Sequence, residues 1–174
     1  MTEAPRTPVL IDRVRRADYY RVVELFGLLG PRYQCDPEDP RTREVFEFYL
    51  HDPRKAALAA RDGDALVGVL LFEITPVLSP THLHARADGM AVAPSHRGRG
   101  IGHALVREYL RAAAERGATS VMAKASDPRV IAMYRRMPEL TERGVYFYYD
   151  PHPEYLIDRA VRPTRDGARV GGAS

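Results

Sequence analysis

Apolar and polar positions repeat along this chain with two different periods, and the changeovers mark out its elements. Val9 to Val14 (VLIDRV) alternates with period two and predicts a first strand. From Ala17 to Leu29 the apolar residues Tyr20, Val23, Leu25, Phe26 and Leu28 predict a helix, stopped by Gly30-Pro31. Asp39-Pro40 has the form of a helix cap followed by proline at the first helical position. The helix it opens carries Val45, Phe46, Tyr49 and Leu50 and ends near His51-Asp52-Pro53. Ala56 to Ala60 and Leu66 to Ile74 flank Asp62-Gly63-Asp64, a hairpin signal. The second of these strands, LVGVLLFEI, is almost wholly apolar, as a central strand covered on both faces should be.

After a proline-containing loop from Pro76 to Thr81, His82 to Ala93 predicts a long strand. A helix follows from about Arg99 to Arg116, with Leu105, Val106, Tyr109, Leu110 and Ala113 on one face, and Gly117 ends it. Ser120 to Ala125 reads as a short strand. Asp127-Pro128 repeats the cap-plus-proline signature and opens a helix to about Met137. Val145 to Tyr149 and Tyr155 to Val161 predict two terminal strands. From Arg162 onward proline, glycine and charge replace periodic apolar residues, which predicts disorder over 162–174.

Bulk properties narrow the class. A chain of 174 residues, 45% hydrophobic and 28% charged, suits one globular domain with a real core. No apolar run approaches the ~20 residues that span a bilayer, and the first residues lack the basic-then-apolar layout of a secretory signal. A cytoplasmic protein is the expectation. Cys35 is the single cysteine, so neither an internal disulfide nor a cysteine-based zinc site is available. His82 and His84 lack a third ligand at sensible spacing, so no metal is expected. The net charge of +3 is small, and there is no basic run with interleaved aromatics of the kind a single-strand binder uses. Those features argue against nucleic-acid binding, for which tail arginines 162, 165 and 169 are the sole hint.

The candidate chemistry lies between Met90 and Tyr109. The apolar run Met90-Ala91-Val92-Ala93 stops at Pro94; Arg97-Gly98-Arg99-Gly100-Ile101-Gly102 follows, then His103 and the helical pattern. Strand, glycine turn and helix in that order aim orphan N–H groups, and the positive end of the helix dipole, at one point. That is an anion site, to which Arg97 and Arg99 add cations. A P-loop would need Gly-Lys-Ser/Thr, whereas His103-Ala104 follow Gly102. The dinucleotide fingerprint has different glycine spacing and belongs at a first strand.

The remaining pattern, Met-Ala-Val-Ala-Pro followed by Arg-x-x-Gly-x-Gly, resembles the acetyl-CoA motif of the GNAT superfamily of N-acetyltransferases. The resemblance implies an α/β GNAT fold over 8–161, with a mixed six- to seven-stranded central sheet flanked by about four helices. It implies acetyl-CoA as acyl donor, an amine as acceptor, direct transfer in a ternary complex, and a homodimer through the terminal strands as one option. By the same resemblance Met90, Ala91 and Val92 offer backbone groups to pantetheine, with an N–H near Val92 polarising the carbonyl.

Residues Arg97 to His103 then hold the pyrophosphate. Asp127 stands where the family has asparagine, and Tyr134 stands where a tyrosine meets the coenzyme sulfur as general acid. The segment after it, Arg135-Arg136-Met137-Pro138-Glu139-Leu140, departs from the family's usual ending. A general base must come from the strand before the turn. Asp88 and His84 are the candidates, with Glu73 or a water chain as alternatives. A small-molecule amine is the expected acceptor. A polypeptide amine, or a non-catalytic acyl-CoA sensor, is the alternative.

Overall fold

The computed structural model describes residues 9–77 and 81–142. Among these the chain forms a five-stranded sheet in the order β1-β2-β3-β4-β5, with strands in sequence order from one edge to the other. The strands are β1 (Leu10–Arg13), β2 (Lys55–Asp62), β3 (Ala65–Pro76), β4 (Leu83–Val92) and β5 (Ser120–Met122). Helices α1 (Tyr19–Gly27) and α2 (Pro40–His51) lie between β1 and β2; α3 (Ile101–Glu115) joins β4 to β5, and α4 (Pro128–Tyr134) follows. Neighbouring strands are antiparallel except β4 and β5, which run parallel around the α3 crossover. The expected terminal strands, Val145 to Tyr149 and Tyr155 to Val161, and the tail from Arg162 lie outside the described residues.

Local chemistry accounts for the boundaries. The side chains of Asp39 and Asp127 accept from the backbone N–H groups of Arg41 and Arg129, capping α2 and α4 with proline at the first helical position of each. Gly63, at φ 60°, turns the β2–β3 hairpin. β5 is shorter than its sequence suggested, ending at Met122 instead of continuing to Ala125.

Each face of the sheet carries its own core. Leu58, Leu70, Phe72 and Ala85 pack with Ile101, Leu105, Val106 and Tyr109 of α3, and Met137 joins them. On the other face Ala57, Ala59, Val69, Leu71 and Ala91 pack with Tyr19, Val22 and Leu25 of α1 and Phe46 of α2. A fully buried leucine such as Leu105 contributes about 2 kcal/mol by leaving water. β3 is buried along most of its length, as its apolar run predicts.

Two features of β4 position the site. The register with β3 pairs Leu71 with Gly89 but Phe72 with Ala87, so Asp88 is an extra residue in a β-bulge. With β5 the pairing is brief: His84, Ala85 and Arg86 face Ser120, Val121 and Met122, after which β5 ends and β4 continues to Val92. Beyond Arg86 the two strands therefore part.

Candidate active site

The glycine turn is built by backbone geometry. Pro94–His96 form one 3-10 turn. Gly98 and Gly100 take φ of 76° and 79°, the left-handed region that L residues avoid, and Gly100 is the N-cap of α3. The Ala104 N–H returns to the Gly100 carbonyl at 3.0 Å. The N–H groups of Ile101, Gly102 and His103 thus occupy the first turn, where no helical carbonyl can reach them. A Cβ on Gly98 or Gly100 would meet no atom within 4 Å, so the cradle opens outward. Its shape fits a pyrophosphate held by main-chain amides.

The motif's side chains also have partners within the protein. Arg99 donates to Asp62 Oδ2 at 3.1 Å, and His96 Nε2 lies 3.3 Å from the same oxygen. The loop is in this way tied to the β2–β3 hairpin. Arg97 is exposed and donates through Nε to the Val92 carbonyl at 3.1 Å, which leaves its terminal nitrogens toward solvent. Gly102 needs no special backbone angle. A Cβ there would lie 3.5 Å from Met133 Sδ and Met90 Cε, ordinary contacts that place Met90, α3 and α4 side by side.

Along β4, Met90, Ala91 and Val92 pair with Leu70, Val69 and Gly68 of β3 on one edge. Their other edge faces the gap left where β5 ends. Tyr134, the last residue of α4, packs half-buried against the core on the α3 face, and burial pushes its hydroxyl pKa up. The departing segment after it turns tightly, with Met137 fully buried in that core and Arg135 paired to Glu142 at 2.9 Å. Asp127 caps α4, and its carboxylate is occupied by the Arg129 guanidinium and the Arg129 amide, which hold its pKa below the usual range.

Asp88 turns to the opposite face, toward α2, where it accepts from Tyr49 Oη at 2.7 Å and pairs with Arg86 at 3.2 Å. Arg86 also donates to Glu73 at 2.6 Å, and Lys55 donates to the second Glu73 oxygen at 2.9 Å. The Lys55 ammonium lies 4.8 Å from the Tyr49 ring centroid, closing a polar ring around the bulge. The Lys55 hydrogen bond is the largest influence holding the Glu73 carboxyl below its ordinary pKa, against the opposing effect of burial. Burial, then the bond to Asp88, pushes the Tyr49 hydroxyl far up, so it remains a donor.

His84 is not beside Asp88. It lies before the strands part, four residues back along β4, roughly 13 Å at strand rise. Its Nδ1 lies 2.9 Å from Ser120 Oγ, and its Nε2 is buried without a partner among the described residues. Burial, with the charges of His82, Arg86 and Lys124, lowers its pKa and keeps the ring neutral. Among the described residues no three His, Cys, Asp or Glu side chains converge as a metal site, and no helix is long and apolar enough to cross a membrane.

Three participants escaped the sequence reading. Tyr49 and Tyr109 look like apolar stripe residues of amphipathic helices, and only their polar tips hint at more. Asp62 looks like a turn residue, which it also is.

The sequence profile of the Acetyltransferase (GNAT) family matches residues 21–137. The chain belongs to that family. It is an acyltransferase with the GNAT fold, although the described sheet has five strands where six to seven were expected. The chain is similar to the N-alpha-acetyltransferase RimI of Mycobacterium tuberculosis, at 30% identity over 132 residues, 76% of this chain and 78% of that one. N-alpha-acetyltransferase 30 of Schizosaccharomyces pombe is 25% identical over 118 residues, covering 67% of this chain and 78% of its own. Among solved structures, glucosamine-6-phosphate N-acetyltransferase from Arabidopsis thaliana superimposes with a TM-score of 0.69 at 14% identity. That match covers 83% of this chain and all of that one, a likeness of fold alone.

Proposed function

We propose that this GNAT acyltransferase moves an acetyl group from acetyl-CoA to a primary amine by direct attack. Ile101, Gly102 and His103 amides, with Arg97, hold the pyrophosphate, and Met90, Ala91 and Val92 receive the pantetheine arm along the open edge of β4. The neutral amine attacks the thioester carbonyl, the C–S bond breaks, and the Tyr134 hydroxyl supplies the proton that the departing thiolate takes up. Asp88, directly or through one water, accepts the proton that the amine loses. The observation that carries this reading is β4 itself. Its edge, unpaired among the described residues, runs from the glycine cradle to the bulge, with Tyr134 on one face of the sheet and Asp88 on the other. Donor and acceptor can then meet at the strand from opposite sides.

A small-molecule amine is the first reading of the acceptor. A polypeptide α-amine is the second, supported by two relatives that both carry the name N-alpha-acetyltransferase. The first experiment is thermal shift with acetyl-CoA, CoA and desulfo-CoA on the wild type and Gly100→Glu. A ligand at 100 times its Kd adds about 2.7 kcal/mol, and a carboxylate in the anion cradle should abolish that gain. A folded wild type showing no shift overturns the donor assignment. Thiol release with a panel of small amines and of short peptides then separates the two acceptors. Donor binding with release from neither panel would favour the acyl-CoA sensor.

A further inference from the structure

We infer that Tyr109 sets the acyl-chain length this protein accepts and restricts the donor to acetyl. The inference rests on the proposed seating of the donor in the gap between β4 and β5. Tyr109 is fully buried on α3, its ring 4.9 Å from that of Phe72. Packing alone would be served by leucine, as at Leu105 on the same helix face. A buried phenol oxygen is costly unless hydrogen-bonded, and this one has a specific position. It donates to the Met122 carbonyl at 3.1 Å, and Ala87 of β4 packs against the same core cluster. Arg86 and Met122 are the last residues paired between β4 and β5. The phenol therefore stands as a wedge at the apex of the gap, bonded to β5 and packed against β4 where they part.

The position matters because of what would arrive there. From Val92, beside the glycine cradle, to Ala87 at the apex is five residues of strand, roughly 17 Å at about 3.3 Å per residue. An arm anchored by its pyrophosphate at the cradle and laid along β4 brings its far end, the acyl group, to Tyr109. Tyr134 packs against the same core cluster that holds Tyr109, so the proposed proton donor lies on the same face of the sheet. Acetyl adds a single methyl beyond the carbonyl. A longer chain would have to enter space filled by the Tyr109 ring, and the close-packed interior around Phe72 does not yield cheaply.

The test compares acetyl-CoA, butyryl-CoA and hexanoyl-CoA as donors for wild type, Tyr109→Leu and Tyr109→Phe. Each methylene that a hydrophobic pocket excludes is worth on the order of 10- to 200-fold in kcat/KM. The wild type is expected to prefer acetyl over butyryl by at least ~10-fold. Tyr109→Leu, which shortens the wedge, should cut that ratio by ~10-fold or more, whereas Tyr109→Phe, which keeps the ring, should hold it within ~3-fold. Acyl-free CoA should raise the Tm of all three proteins alike, because it does not reach the wedge. A folded Tyr109→Leu with an unchanged ratio overturns the inference. So does a wild type that uses acetyl and butyryl equally, whether or not the leucine variant folds. A wild type that CoA itself does not stabilise overturns the donor assignment instead, before chain length is in question.

Discussion

Tyr49 of α2 donates a hydrogen bond to Oδ2 of Asp88 at 2.7 Å, at the bulge where β4 sets Asp88 as an extra residue against β3. A bulge re-aims a side chain, and here it directs a carboxylate at a helix that supplies a phenol to hold it. If Asp88 takes the amine proton, Tyr49 is the residue that fixes its orientation. Asp88→Asn should then lower kcat by on the order of 10²- to 10³-fold. Tyr49→Phe should lower it by roughly 10-fold, since the pairing with Arg86 remains. The double variant should be no slower than Asp88→Asn, because the two residues act as one unit. Independent, multiplying losses would remove Tyr49 from that role. Neither change should alter the KM for acetyl-CoA, which the cradle at the far end of β4 controls.

The two kinds of glycine at the site predict different outcomes. Gly100 sits at φ 79°, so alanine there carries strain of about 1–2 kcal/mol and misaims the first amides of α3. Gly102 has no such angle, and its added Cβ would meet two methionines at 3.5 Å. Gly100→Ala should lower the Tm and weaken CoA binding together. Gly102→Ala should leave the unliganded Tm the same or higher, because alanine is the better helix former, by up to about 1 kcal/mol. Melting curves of both variants with and without CoA check this, and equal behaviour would contradict it.

Much of this architecture is written in short-range signals. Asp39-Pro40, Asp127-Pro128 and Asp62-Gly63 place two helix starts and one hairpin without help from tertiary contacts, and the turn at Gly98–Gly100 follows from glycine's backbone freedom. What could not be read depends on partners distant in sequence. The motif gives no sign that Arg99 also pairs with Asp62, 37 residues away. Period-two alternation puts Arg86 and Asp88 on one face, where they do pair, but it cannot show that Asp88 is a bulge residue, because an extra residue is defined only against β3. Tyr49 and Tyr109 satisfy the helical pattern completely, so their hydroxyl contacts across 39 and 13 residues leave no local trace.

A packing prediction concerns Gly89, beside the bulge. An alanine Cβ there would come within 2.8 Å of Phe26 Cε1 and 3.3 Å of Leu29 Cδ1, so α1 lies on β4 more closely than a side chain allows. Gly89→Ala should cost about 1–3 kcal/mol by overpacking. Adding Phe26→Leu, which removes the opposing ring edge, should recover part of that loss. Urea denaturation of the single and double variants measures the coupling. Strictly additive losses would show that the ring is not what limits the position.

The last prediction concerns acid stability. Arg61 is 5% exposed and lies between Asp18, bound through two hydrogen bonds of 3.0 and 2.6 Å, and Asp12 at 3.1 Å. Burial opposes ionisation of Asp18. The hydrogen bonds from Arg61 and the Arg15 amide, with the charges of Arg61 and Arg15, outweigh it and hold the carboxyl below its ordinary 3.8. A carboxyl with a depressed folded-state pKa contributes stability that is complete above the unfolded value and lost as pH falls through the folded one. Asp18 should therefore support the fold fully above about pH 4 and progressively less below it. Asp18→Asn should cost about 3 kcal/mol at neutral pH, by leaving a buried guanidinium short of its main partner. Its Tm should then fall less steeply than the wild type's between pH 4 and pH 2.5, since the charge that acid removes is already gone. Parallel Tm–pH curves for the two proteins would mean that Asp12 alone neutralises Arg61.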